Sequence, residues 1–110
     1  MSFKVQGNTI FLTRGDTFKA HLTINNPDGT VYTPQEGDSV RFALKEKIED
    51  QECLILKSIP IDTMLLILEP QDTKPLDFGS YIYDIQLTKA NGEVDTFITA
   101  SKLKLTAEVD

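Results

Sequence analysis

Residues 77–87 read DFGSYIYDIQL, and the fold turns on how this stretch is taken. From Tyr81 onward the side chains alternate, with Tyr81, Tyr83, Ile85 and Leu87 on one side and Ile82, Asp84 and Gln86 on the other. Alternation of period two is the mark of a strand with one buried face. Gly79 closes the turn-rich segment before it, and Tyr81 opens the strand two residues later. That spacing fits a tyrosine corner, in which the phenol hydroxyl ties a sandwich corner to upstream backbone. Gly79 and Tyr81 are therefore assigned as the structural corner.

Working upstream, EPQDTKPLDFG (69–79) holds two prolines, which cannot sit inside a ladder. Pro70 is placed to open one short helical turn near residues 70–76, so the segment reads as a corner between two sheets. Before it, CLILKSI (53–59) and MLLILE (64–69) are continuous apolar runs, expected to be central strands with both faces partly covered. Val40, Phe42 and Leu44 alternate against Arg41 and Lys45. Phe18, Ala20, Leu22 and Ile24 do so against Lys19, His21 and Thr23. NNPDGT (25–30) and PQEGD (34–38) are turn punctuation. Downstream, Asn91-Gly92 is a strong hairpin signal. The last strand runs from about Glu93 to Thr106, with a bulge expected at TASK (99–102).

With NTIFLT (8–13) as the first strand, about seven strands result. The expectation is an all-β, immunoglobulin-like antiparallel β-sandwich forming a single domain over 1–110. Its core would hold Phe18, Leu22, Ile24, Val40, Phe42, Leu44, Tyr81, Ile85 and Leu87. A chain of 110 residues is long enough for one such core. Tyr83 stands where an antibody-type domain has its second cysteine, and the chain has no tryptophan. Both departures keep the architecture and drop the antibody lineage.

Charge and composition narrow the partner. A net charge of −6 repels phosphate backbones, so nucleic acid is not the expected partner. The longest apolar run, MLLIL, is too short to span a bilayer, and the first ten residues lack a signal-peptide core. One cysteine, Cys53, excludes an internal disulfide and reads as a small buried or edge hydrophobe.

Catalytic groups are sparse: His21 is the only histidine and falls on the polar side of its strand. No phosphate loop, nucleophile elbow or Asp-x-Asp calcium spacing occurs. The chain is therefore expected not to be an enzyme and to use no cofactor or metal. Arg14-Gly15-Asp16 matches an adhesive tripeptide, yet the strands on either side leave room only for a tight connection. Gly15 supplies positive φ there and Asp16 caps the turn. Tyr32 is the one outward aromatic that a carbohydrate- or protein-binding module could use.

The ordered series LTRGDTF, DGTVYTPQEGDSVRFALK, LEPQDTKPLDFGSYIYDIQL, NGEVDTF and LKLTAEV resembles the small immunoglobulin-like sandwich proteins of phage and prophage virion modules. The resemblance implies a non-enzymatic structural or interaction protein of the tail or baseplate. It would be made in the bacterial host cytoplasm and then built into the virion, with contacts to itself or to other virion proteins. The alternative is a ligand-binding or adhesion accessory module. Strict alternation would put Val94 and Ile98 on one face of the final strand and Phe97 on the other. With Ile82 on the neighbouring strand, Ile82, Val94 and Ile98 form the expected protein-contact surface.

Overall fold

The computed structural model describes residues 3–107. Ten strands and one helical turn follow in order: β1 (Phe3–Gln6), β2 (Thr9–Thr13), β3 (Phe18–His21), β4 (Ile24–Asn25), β5 (Val31–Tyr32), β6 (Ser39–Lys45), β7 (Ile55–Ile59), β8 (Leu65–Leu68), α1 (Pro70–Thr73), β9 (Gly79–Thr88) and β10 (Val94–Thr106). A six-stranded sheet runs β1-β2-β10-β9-β6-β7. Two small sheets, β3-β8 and β4-β5, complete the all-β sandwich.

The inward faces of these sheets share one core. Phe18, Ile24, Val40, Phe42, Leu44, Tyr81, Ile85 and Leu87 are buried in it, and Leu22 packs against it while half-buried. Strands not used in the expected core add Ile10, Leu12, Ile55, Ile59, Leu66, Leu68, Leu103 and Leu105. Phe42 and Tyr83 stack, with ring centroids 5.4 Å apart.

The strand count exceeds seven for local reasons. NTIFLT is preceded by β1, which folds back on it antiparallel. The run 18–24 breaks after His21, and Ile24 leaves to pair with Tyr32 in the β4-β5 ribbon. One pair is not antiparallel: β10 runs parallel to β2, from Leu103 beside Ile10 to Thr106 beside Thr13. A parallel neighbour needs no hairpin between the two strands, and here nearly the whole chain separates them.

Like MLLILE, whose β8 belongs to a sheet of two strands, CLILKSI is not a central strand. It supplies β7, an edge of the large sheet, and Leu56 is 65% exposed. A continuous apolar run signals two covered faces only when both faces meet protein. In β7 just one does.

The corner works as its residues dictate. Pro70 opens α1, and the Glu69 amide donates to Asp72 Oδ2 at 2.7 Å. The same carboxylate takes the Lys57 ammonium at 2.8 Å, fixing the corner to β7. Gly79 has φ 141, a region that side chains avoid, although a Cβ there would meet nothing within 4 Å. The restriction is backbone conformation rather than crowding. Two residues on, Tyr81 Oη donates to the Asp77 carbonyl at 2.6 Å.

Two substitutions separate packing from the corner bond. Phe42→Ala, at a side chain with no exposed surface, should cost about 3–5 kcal/mol in urea unfolding. Tyr81→Phe should cost about 0.5–1.5 kcal/mol, the worth of one hydrogen bond. Equal losses from the two would mean that the hydroxyl is not what secures the corner.

Candidate functional site

The candidate site lies on the outer face of the large sheet. Strands β6 and β9 pair with Ala43 opposite Asp84 and Lys45 opposite Ile82, which sends these four side chains away from the core. Leu56 of β7 stands opposite Ala43 on the same face. Together with Arg41, Ile48, Cys53 and Ala100 they line a groove of about 380 Å³.

The groove has an apolar floor and a polar flank. Ile48 is 63% exposed, and Leu54, just before β7, is also exposed. Asp84 Oδ1 takes the Arg41 guanidinium at 2.8 Å. Lys45 Nζ donates to the Asp50 carbonyl at 2.6 Å, holding the loop that carries Ile48 against the sheet. Ile82 has a lysine on each side across the ladder, Lys45 and Lys102. Their aliphatic stems extend the apolar surface, with the Lys45 ammonium held by the Asp50 carbonyl and Lys102 exposed.

Of the three expected contact residues only Ile82 lines this groove. Val94 is on the outer side and 59% exposed, but it pairs with Thr88 whereas Ile82 pairs with Lys102. At about 3.3 Å per residue that puts roughly 20 Å between them. Ile98 is opposite the inward Ile85 and packs against the core. The cause is a register shift between Thr96 and Ile98, an extra residue that reverses the parity as far as the next irregularity. A second shift between Ile98 and Ser101, where TASK leads one to expect it, restores the parity and leaves Ala100 to line the groove. Phe97 sits at the first shift, half-buried against the core.

Other candidate residues are taken up structurally. Cys53 is neither buried nor in a strand: it is an exposed free thiol on the groove's loop side. His21 is exposed at the end of β3. Tyr32 Oη donates to Asp38 Oδ2 at 2.5 Å, and its ring lies under the Lys89 ammonium, 5.1 Å from the centroid. Asp38 also accepts from the Gln35 and Ala90 amides, at 2.9 and 3.0 Å. The Gln35 amide first, then the Tyr32 hydroxyl, hold its carboxyl below the usual range. Tyr32 is thus one side of a clamp between loops.

The Arg14-Gly15-Asp16 tripeptide is built into the corner. Gly15 has φ 85, and its amide donates to Oγ1 of the buried Thr73 at 2.9 Å. The Asp16 amide returns to the Thr13 carbonyl at 3.1 Å. Arg14 donates to the Leu76 carbonyl at 3.2 Å and covers the Phe78 ring at 4.5 Å. An adhesive loop needs these groups free in solvent. Here they join the first sheet crossing to the second.

Among the described residues no group of three or more His, Cys, Asp or Glu side chains converges as a metal site, and no helix is long and apolar enough to cross a membrane. Among the described residues the Tyr83 phenol is strongly shifted. Its hydroxyl donates to the Asn8 carbonyl, and burial pushes the phenol up to about 12. Unfolded tyrosines ionise near pH 10, so above that pH the unfolded chain releases its proton first. Stability from this residue is complete below about pH 10 and should fall as pH rises toward about 12. Urea titrations across this window should show a shallower fall for Tyr83→Phe, and superimposable curves would mean that Tyr83 does not carry the effect.

No family model, curated protein or solved structure matches this chain, and what the outer face can do rests on its own geometry.

Proposed function

We propose that this chain is a non-catalytic docking module whose outer sheet face, around Ile82 and Leu56, seats another protein. The observation that carries the reading is the exposure of Ile48 and Leu56 beside Ile82, Ala43 and Ala100. Water gains nothing from these side chains, and a clustered apolar surface on a small domain favours a covered state. The Arg41–Asp84 pair and the lysines beside Ile82 supply polar contacts around that surface. They would favour a partner whose own apolar patch is bordered by acidic groups.

The immunoglobulin-like architecture belongs to the same proposal. It is supported by the Tyr81 corner and by β9 lying between β10 and β6 in the larger sheet. The virion assignment rests on the ordered turn signals from LTRGDTF to LKLTAEV. In that setting the chain is a tail or baseplate component, made in the bacterial cytoplasm and retained by contacts with itself or with neighbouring virion proteins. The non-catalytic reading rests on the sparse supply of catalytic groups in the sequence, with one histidine and one cysteine.

The test uses phage particles assembled from a genome that encodes the chain. Mass spectrometry of purified particles should find the wild-type protein. The Leu56→Lys, Ile82→Lys double variant should be depleted at least about tenfold while keeping its circular dichroism spectrum, since both positions face outward. Absence of the wild-type chain from particles removes the virion assignment. Equal incorporation of the double variant moves the contact off this face.

A further inference from the structure

The sandwich is unequal, with six strands facing a sheet of two, and the imbalance leaves one side of β3 open. Among the described residues β3 has a single ladder neighbour, β8. The Leu22 amide donates to the Met64 carbonyl at 2.8 Å. In an antiparallel ladder, hydrogen-bonded and non-hydrogen-bonded pairs alternate. Leu22–Met64 is a bonded pair, so Ala20–Leu66 is bonded as well, whereas Lys19 and His21 fall at the intervening positions. The amides and carbonyls of Lys19 and His21 therefore point away from β8.

Along that open side runs a cavity of about 290 Å³ between β3 and the β1–β2 hairpin. Its walls are mostly apolar, with Ala20 and the adjoining Leu22 on the β3 side, Val5 and Ile10 from the hairpin, and Ile85 and Ile98 from the floor of the large sheet, while Asn8, His21 and Thr23 add polar groups. Ile98 reaches this floor through the register shift that turns it inward. Val5 and His21 are exposed, so the cavity opens to solvent at both lips.

We infer that this slot accepts an extended strand from a partner protein, one that alternates apolar with acidic residues and pairs along β3. A row of unpaired backbone groups recognises another backbone, and a flanking apolar channel recognises every second side chain. The remaining side chains would stand on the outer side of β3 beside Lys19, which is exposed and opposite Ile67. A cation at an edge position repels cationic strands and pairs with acidic ones across the ladder. This site shares only Tyr83 with the outer groove and none of the residues substituted to test it, so either can fail without the other.

The probe is a short capped peptide alternating valine with glutamate, titrated into the whole protein and followed by amide NMR spectra and hydrogen exchange. Saturable binding should shift the Lys19 and His21 amides and slow their exchange. N-methylation of the peptide edge facing β3 should weaken binding about fivefold to tenfold for each hydrogen bond lost, while N-methylation of the other edge should leave it unchanged. Lys19→Glu, at an exposed side chain, should reverse the preference toward a valine–lysine peptide. The inference is overturned by no saturable binding, by shifts centred on Ile82, or by equal affinity for a peptide of the same composition with its valines and glutamates in blocks. It is also overturned if the Lys19 and His21 amides become protected as the protein alone is concentrated, because the occupant would then be a second copy of this chain.

Discussion

The fold depends on β9 having one consistently apolar side. Tyr81, Tyr83, Ile85 and Leu87 all point inward, and every one is buried. Strands β6 and β10 take their registers from β9 on either side. A slip of one residue would exchange these four side chains for Ile82, Asp84, Gln86 and Thr88, placing a carboxylate in the core. Both tyrosines fix the register a second time. Tyr81 bonds back to Asp77 in the corner, and Tyr83 reaches across the molecule to Asn8 beyond the end of β1. Each thereby satisfies a hydroxyl that burial would otherwise leave without a partner.

On β10 the demands of the core and of the strand's own alternation conflict. A regular strand would keep Val94, Ile98 and Lys102 on one face. The register shift after Thr96 turns Ile98 toward Phe18 and Ile85, where it walls the slot beside β3. The shift after Ile98 then returns Lys102 to the outer side, opposite Ile82. Each extra residue leaves ladder bonding locally incomplete, and the apolar contact of Ile98 and Phe97 with the core offsets that loss. The same two irregularities separate what would otherwise be one outer surface into a groove at Ile82 and a distant exposed valine.

Unequal sheets explain why two surfaces remain open. Among the described residues the large sheet ends at β7, which has β6 as its single ladder neighbour, and the small sheet ends at β3, beside which the hairpin leaves a gap. Both edges carry a lysine, Lys57 on β7 and Lys19 on β3, and charged edge residues are a common guard against indiscriminate strand pairing. Their situations differ. Lys57 is held by Asp72 of the corner, while Lys19 is exposed beside the open slot and is available to choose a partner by charge.

Alternation and turn chemistry in the sequence determined the strand class, most of the core and the corner, because both act over a few residues. Tyr81, Val40, Phe42 and Phe18 each announce a buried face within their own strand, and Gly79, Pro70 and Gly15 announce where the chain must turn. Only the tertiary structure decided which strands would be neighbours. That β2 lies parallel to β10, that the apolar run at 55–59 ends as an edge, and that Ile98 faces inward all depend on contacts between residues far apart in the chain. The functional surfaces fall in this second group. Leu56, in an apolar run that reads as a covered strand, is exposed on the outer face of β7, an edge among the described residues. A local pattern reports that a side chain is apolar. Whether anything packs over it is a property of the assembled sheets.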